Sequence, residues 1–218
     1  MLEKQPYKVV ENDGVRLSIY VDEDADSPRI WDTLGTMICW HRKHSIGDKH
    51  NFQCVEEFTD YLSLGVGIEV EDGYGITDEQ REELEKHIIL IPIYLLDHSG
   101  ISISTNPFNC KWDSRQIGYI YVLKKDAAKE LGILTTLFDQ QKVEEILVGE
   151  VKDYNDYLTG NVYRYELEIG QQCNHCKHVV WECVSTGCGF LGEDFEANGL
   201  KDCILNDGEQ YITIVNLI

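Results

Sequence analysis

The stretch Gln116-Ile117-Gly118-Tyr119-Ile120-Tyr121-Val122 decides how this chain is read. It is apolar on both faces, the pattern of a strand covered from two sides, and so predicts the middle of a sheet. A helix is the next strong signal. Val143, Ile146, Leu147, Val151, Tyr154, Tyr157 and Leu158 recur at helical spacing, with Asp139 placed as N-cap and Gly160 as the stop. A helix over about residues 139–158, laid on that sheet, is the expected core.

Most remaining strands read as hairpins. Val15, Leu17, Ile19 and Val21 alternate with Arg16, Ser18 and Tyr20, and Asn12-Asp13-Gly14 supplies a turn back to residues 7–10. Residues 88–96 and 101–104 flank Asp97-His98-Ser99-Gly100, with Pro92 marking an edge or bulge. Residues 36–40 read as a short buried strand, 163–169 as an amphipathic one, and 179–184 and 211–215 as the last two. Phe52, Val55, Phe58, Tyr61 and Leu62 predict a helix ended by Gly65 and Gly67, and Thr77 with Gln80 forms a capping box that opens a charged helix over 78–87. Hairpins outnumber βαβ units. The expected fold is therefore α+β, a largely antiparallel sheet packed against one long amphipathic helix with shorter accessory helices. With no linker or repeat in view, residues 1–218 are expected to form a single domain carrying a cysteine-containing hairpin loop at about 170–190.

Composition bounds the function. The 218 residues carry 19 Lys and Arg against 39 Asp and Glu, a net charge of −20, with 43% hydrophobic residues. That apolar content suffices for a core, which excludes a disordered acidic polymer. The charge disfavours direct binding of nucleic acid, whose affinity comes mostly from Lys and Arg displacing counterions, and disfavours an acidic membrane surface likewise. The N-terminal MLEKQPYKVVENDG lacks a signal-type apolar segment, and the run 88–96 is interrupted by Pro92 and far shorter than a membrane span. A cytoplasmic protein is expected, in which eight cysteines are thiols or metal ligands rather than a disulfide framework. Gly65-x-Gly67 precedes an acidic stretch and not a helix start, so it makes no phosphate loop.

Two strings, Trp112-Asp113-Ser114-Arg115-Gln116-Ile117-Gly118-Tyr119-Ile120-Tyr121-Val122 and Asp156-Tyr157-Leu158-Thr159-Gly160-Asn161-Val162-Tyr163, carry a family likeness. Together with Trp31-Asp32-x-Leu34-Gly35-Thr36 and Cys39-Trp40-His41-Arg42, they resemble a family of uncharacterised proteins carried by bacteriophages and other bacterial mobile elements. Arg115 stands where the family pattern has Gly, and Cys188-Gly189-Phe190 where a Trp would follow the Cys. The resemblance implies a bacterial host cell and an accessory role of the kind that inhibits restriction or CRISPR nucleases.

Three constellations bear chemistry. Cys173-x2-Cys176, followed by Cys183 and Cys188, has thiolates at zinc-binding spacing. On a strand rising about 3.3 Å per residue Cys183 lies too far from the loop, leaving Cys173, Cys176 and either His175 or His178 as loop ligands of a structural zinc, with a coordination position for a distant residue such as Cys188 or Cys203. Trp40-His41-Arg42-Lys43-His44, with Lys49 and His50, is the basic cluster, suited to an anion or a metal, or else an exposed loop held against the acidic bulk. Asp97-His98-Ser99, with Cys110 and Asp113 nearby, has the residue types of a hydrolytic triad, although neighbours on one turn diverge and the turn alone explains them.

The acidity avoids residues 97–142 and gathers on the two charged helices and on loops. The expectation drawn from it is a non-enzymatic inhibitor that binds a basic host protein such as a defence nuclease, imitating a phosphate backbone through Glu79, Glu82, Glu83, Glu144, Glu145, Glu150 and Asp153. A rival is a small hydrolase whose pocket is built from residues 40–50, His98, Cys110 and Asp113. Another is a protein that sequesters a nucleotide signal, which requires Arg16, Arg42, Lys43 and Arg115 to make a cationic pocket.

Overall fold

In the computed structural model, which describes residues 5–70, 75–98, 100–110, 113–133 and 138–218, eight strands form two four-stranded antiparallel sheets rather than one. The chain divides into two compact units, residues 28–155 and residues 1–27 with 156–218. The α+β class and the antiparallel pairing are as expected.

The 28–155 unit is built on the sheet β3-β6-β4-β5, with β3 Thr36–Cys39, β4 Ile88–Asp97, β5 Ile101–Ser104 and β6 Ser114–Leu123. β6 pairs with both β3 and β4, and alternate residues feed opposite faces. Tyr119 and Tyr121 join Ile38 and Ile88 in an apolar cluster with Phe58 and Leu62 of α1 (Val55–Gly65) and Leu84 of α2 (Asp78–His87). On the opposite face Ile120 meets α4 (Gln140–Leu158), whose Val143, Leu147 and Val151 are buried. A short α3 (Lys124–Glu130) follows β6 directly. Pro92 stands beyond the last residue of β4 that β5 reaches, so its missing N–H faces an open edge, and a register shift follows between Ile93 and Tyr94.

The helix ends are explained by their caps. Asp139 Oδ1 accepts from the Lys142 N–H at 3.2 Å, and at the far end Gly160 and Asn161 donate to the carbonyls of Tyr157 and Asp156, with Gly160 at φ +77°. Thr77 and Gln80 make the reciprocal capping box on α2.

The other unit carries the sheet β1-β2-β7-β8: β1 Lys8–Asn12, β2 Val15–Val21, β7 Val162–Gln172 and β8 Val179–Leu191. Asp13 and Gly14 both take positive φ at the tight β1–β2 turn. Leu17, Ile19, Tyr163, Tyr165 and Leu167 form one core with Leu200 and Ile204 of α5 (Leu200–Asn206) and with Tyr211, Ile214 and Val215. Residues 211–215, expected as a strand, are helical instead: a 3-10 turn leads into α6 (Ile212–Val215). The burial pattern gives the reason, since Tyr211, Ile214 and Val215 are buried while Ile212 and Thr213 are exposed, a helical period and not an alternating one.

The segment before β3 is held by Arg29, whose side chain is 6% exposed. Its guanidinium donates to Asp48 (Nε–Oδ1 3.0 Å, Nη2–Oδ2 2.7 Å), to Glu150 (Nη1–Oε2 3.2 Å) and to the Gly35 carbonyl at 2.7 Å. Burial alone would lower its pKa, yet the two carboxylates hold it above the ordinary arginine value. Glu150 also accepts from the N–H groups of Leu34 (2.6 Å) and Gly35, and Asp48 from that of Met37 (2.7 Å). Glu150 was expected on a partner-facing surface; its placement corrects that, because every direction of its carboxylate is used internally.

Two stability predictions follow from this packing. Glu150→Ala leaves Arg29 half-paired and desolvated and should cost about 3–5 kcal/mol in urea unfolding, whereas Glu145→Ala should stay within about 0.5 kcal/mol of the parent. A Cβ at Gly118 would lie 2.0 Å from the Ile38 carbonyl oxygen, so Gly118→Ala should lower stability by about 3 kcal/mol; an unchanged urea midpoint would show that β3 moves aside freely.

Candidate functional site

β4 ends, β6 begins and β3 ends at the same end of the β3-β6-β4-β5 sheet, because β6 runs antiparallel to both neighbours. Leu96 pairs with Ser114, Leu95 with Arg115, and the Asp97 N–H donates to the Asp113 carbonyl at 3.2 Å. The loop leaving β3 arrives here too. A cleft of about 320 Å³ results, lined by His41, Arg42, Lys43, Asp97, Asp113, Ser114 and Arg115. That volume lies at the low end of the roughly 300–1,000 Å³ usual for small-molecule sites.

The loop that delivers the cations is anchored on both sides. Trp40 donates its backbone N–H to the Ile117 carbonyl (2.7 Å) and its indole N–H to the Phe52 carbonyl (2.9 Å), while His50 Nε2 lies 2.9 Å from the Cys39 carbonyl. Asp48 N–H donates to the Met37 carbonyl at 2.8 Å, Gly47 takes φ +79° above Met37, and Asp48 is itself clamped by Arg29. Residues 41–44 therefore project from a fixed base. Arg42, Lys43 and Arg115 are exposed and, among the described residues, pair with no carboxylate.

His41 sits at the inner edge. Its Nδ1 accepts from the His44 N–H at 3.1 Å, which puts the proton of the neutral ring on Nε2, and the two imidazoles stack at 5.1 Å. Burial first, then the charges of Arg115 and His44, hold its pKa below the usual histidine value. The ring is therefore neutral at pH 7 and presents one N–H donor.

The triad-type residues do meet, in an order that nucleophilic catalysis does not use. Cys110 Sγ donates to Asp113 Oδ2 at 3.3 Å, and His98 Nδ1 lies 3.5 Å from that same oxygen. A working triad has the imidazole between nucleophile and carboxylate, whereas here the carboxylate stands between thiol and imidazole. Ser99 and Trp112, singled out in the sequence, lie outside the described residues. Trp40 packs against Phe58, and His50 against Trp40 and Phe52, so neither enters the cleft. Of residues 40–50, His41, Arg42 and Lys43 line the cleft, joined by Asp113 of the expected pocket but not by His98 or Cys110.

Of the cations required for a nucleotide site, Arg42, Lys43 and Arg115 converge and Arg16 does not. Arg16 is on β2, bonded to Glu168 at 2.6 Å and lying over the Trp181 ring. A second concavity contains Lys86, His87, Lys124 and Lys125, but Lys86 is bonded to Glu83 and Lys124 to the Glu85 carbonyl.

The acidic residues expected to face a partner divide. Glu79 and Glu82 are exposed on α2, where Glu83 is taken up by Lys86 and His87. On α4, Glu145 is exposed, Glu144 is half-buried beneath Gln140, and Asp153 is half-buried with partners of its own. α2 and α4 cover opposite faces of the sheet, so their carboxylates cannot form one continuous strip.

The zinc set does not assemble either. Cys173 and Cys176 occupy the β7–β8 turn, while Cys188 is nine residues beyond the start of β8 at Val179, about 30 Å along an extended strand. Among the described residues no group of three or more His, Cys, Asp or Glu side chains is placed to hold a metal ion. Among the described residues no helix is long and apolar enough to cross a membrane. No family model, curated protein or solved structure matches the chain.

If the charge of Arg115 helps to keep His41 neutral, Arg115→Gln should raise the His41 pKa toward the usual histidine value, read from its imidazole NMR shifts between pH 5 and 8. The same resonances of His98, which is 72% exposed, serve as the control.

Proposed function

We propose that this chain is a non-enzymatic accessory protein that binds and withholds a small phosphate-bearing molecule of the nucleotide class in the cleft of the 28–155 unit. The observation that carries the reading is the convergence of Arg42, Lys43 and Arg115, unpaired among the described residues, in a chain of net charge −20. Two guanidinium groups and an ammonium match phosphate oxygens by charge and by forked hydrogen bonding. Asp97 and Asp113 on the same wall would repel a bare polyanion. They suit a ligand that also carries hydroxyl or amino donors, as a ribose or a base does. Sequestration of a host nucleotide signal agrees with the mobile-element resemblance.

Calorimetry with inorganic phosphate, a nucleoside triphosphate and a cyclic dinucleotide tests the reading. Nucleotide is expected to bind more tightly than phosphate, with Arg42→Gln and Arg115→Gln each weakening it about tenfold, the loss of roughly one charged hydrogen bond, and Lys125→Gln leaving it unchanged. No heat with any nucleotide, or equal loss in all three variants, would overturn it.

The exposed Glu79 and Glu82 of α2 support a second reading, a docking face for a basic protein such as a defence nuclease. Because α4 faces the other way, Glu79→Gln with Glu82→Gln should weaken association with a purified nuclease while Glu144→Gln with Glu145→Gln should not. The complex should also loosen steeply between low and physiological salt.

A further inference from the structure

The β7–β8 hairpin ends on the paired residues Gln172 and Val179, and the six residues between them contain both Cys173 and Cys176. Cys173 N–H donates to the His178 carbonyl at 2.8 Å, and Lys177 N–H donates back to the Cys173 carbonyl at 2.9 Å, with Lys177 at φ +59°. The backbone from 173 to 177 therefore closes as one isolated helical turn. In such a turn residues three apart lie on the same side, their Cβ atoms about 5–6 Å apart, against about 3.5–4.5 Å in a disulfide. A small tightening of an exposed loop covers that difference.

We infer that Cys173 and Cys176 form a reversible dithiol–disulfide site that exchanges with low-molecular-weight disulfides of the glutathione type. Cys173 is the attacking thiol. Its sulfur lies against the backbone N–H groups of Cys176 and His175 and the thiol of Cys176, which together lower its pKa, Cys176 N–H foremost. No carboxylate occurs from Gln171 to His178, whereas His175, Lys177 and His178 do, so the tip escapes the chain's general negative charge. Both thiols are exposed, in contrast to Cys39, whose pKa burial raises to about 12.

The exchange balances without a further reagent. The Cys173 thiolate attacks one sulfur of the small disulfide, the S–S bond breaks, and one small thiolate leaves and takes a proton. Cys176, having given its proton to solvent, then attacks the Cys173 sulfur of the mixed disulfide and expels the second small thiol. Two protein thiols become one disulfide and the small disulfide becomes two thiols.

The full-length protein, equilibrated with oxidised and reduced glutathione in varied ratio, quenched with an alkylating agent and digested, tests this by mass spectrometry. The peptide spanning 173–176 is expected to lose two hydrogens and gain no alkyl group, while Cys54, Cys183 and Cys188 are alkylated. Cys176→Ser should trap the glutathione adduct on Cys173, and Cys173→Ser should slow modification of the tip several-fold. Equal glutathione adducts on Cys173, Cys183 and Cys188 in the parent, or an equivalent of zinc that protects the pair from exchange, would overturn the inference.

Discussion

A guanidinium that is only 6% exposed must find a partner for each of its donors, and the 28–155 unit is arranged around that requirement. Arg29 binds Asp48, Glu150 and the Gly35 carbonyl at once. Those carboxylates in turn accept the backbone N–H groups of Leu34, Gly35 and Met37 where the chain enters β3. Gly35 is tied there with no room for a side chain, since a Cβ would lie 2.5 Å from Leu147 and 2.8 Å from Ile120. One buried cation thus fixes the helix α4, the start of β3 and the base of the loop after it. Through Asp48 it also fixes the platform from which His41, Arg42 and Lys43 project.

This network changes what the net charge means. A count of carboxylates treats them as surface, but Glu150 and Asp48 are internal hydrogen-bond acceptors and Glu83 is matched to Lys86 and His87. Some of the carboxylates are therefore not available at the surface, and those of α2 and α4 are presented on opposite faces of a sheet. The cationic cleft is the reverse case, with charges gathered at one sheet end and left unpaired among the described residues. Like charges held together in a folded protein cost stability unless something offsets them, which is why their convergence is more informative about a ligand than the acidic bulk.

Local patterns were readable in the sequence, and long-range ones were not. The two-faced apolar run 116–122 is the central β6, the Asn12-Asp13-Gly14 turn closes β1 on β2, and the caps at Asp139, Gly160 and Thr77 end helices where their chemistry says they should. The division into two sheets was hidden because β1 and β2 pair with β7, far along the chain, so no linker marks the boundary. Arg29 carried no signal, since one arginine near a proline is ordinary until its burial is known. Arg42, Lys43 and Arg115 were grouped with Arg16 only as what a nucleotide pocket would require; the antiparallel register of β6 against β3 and β4 is what brings the first three to one cleft.

The same register orders the polar groups around the cleft. It sets Asp113 beside Asp97, and the turn from Cys110 then brings the thiol to the Asp113 carboxylate, with His98 on that same oxygen. A carboxylate standing between thiol and imidazole does not line up nucleophile, base and orienter as a working triad does. The neutral His41 of the same lining keeps one N–H to donate. Cations and carboxylates that line one cleft, on a loop held by a buried ion network, match the proposed ligand, which bears both phosphate and hydroxyl groups.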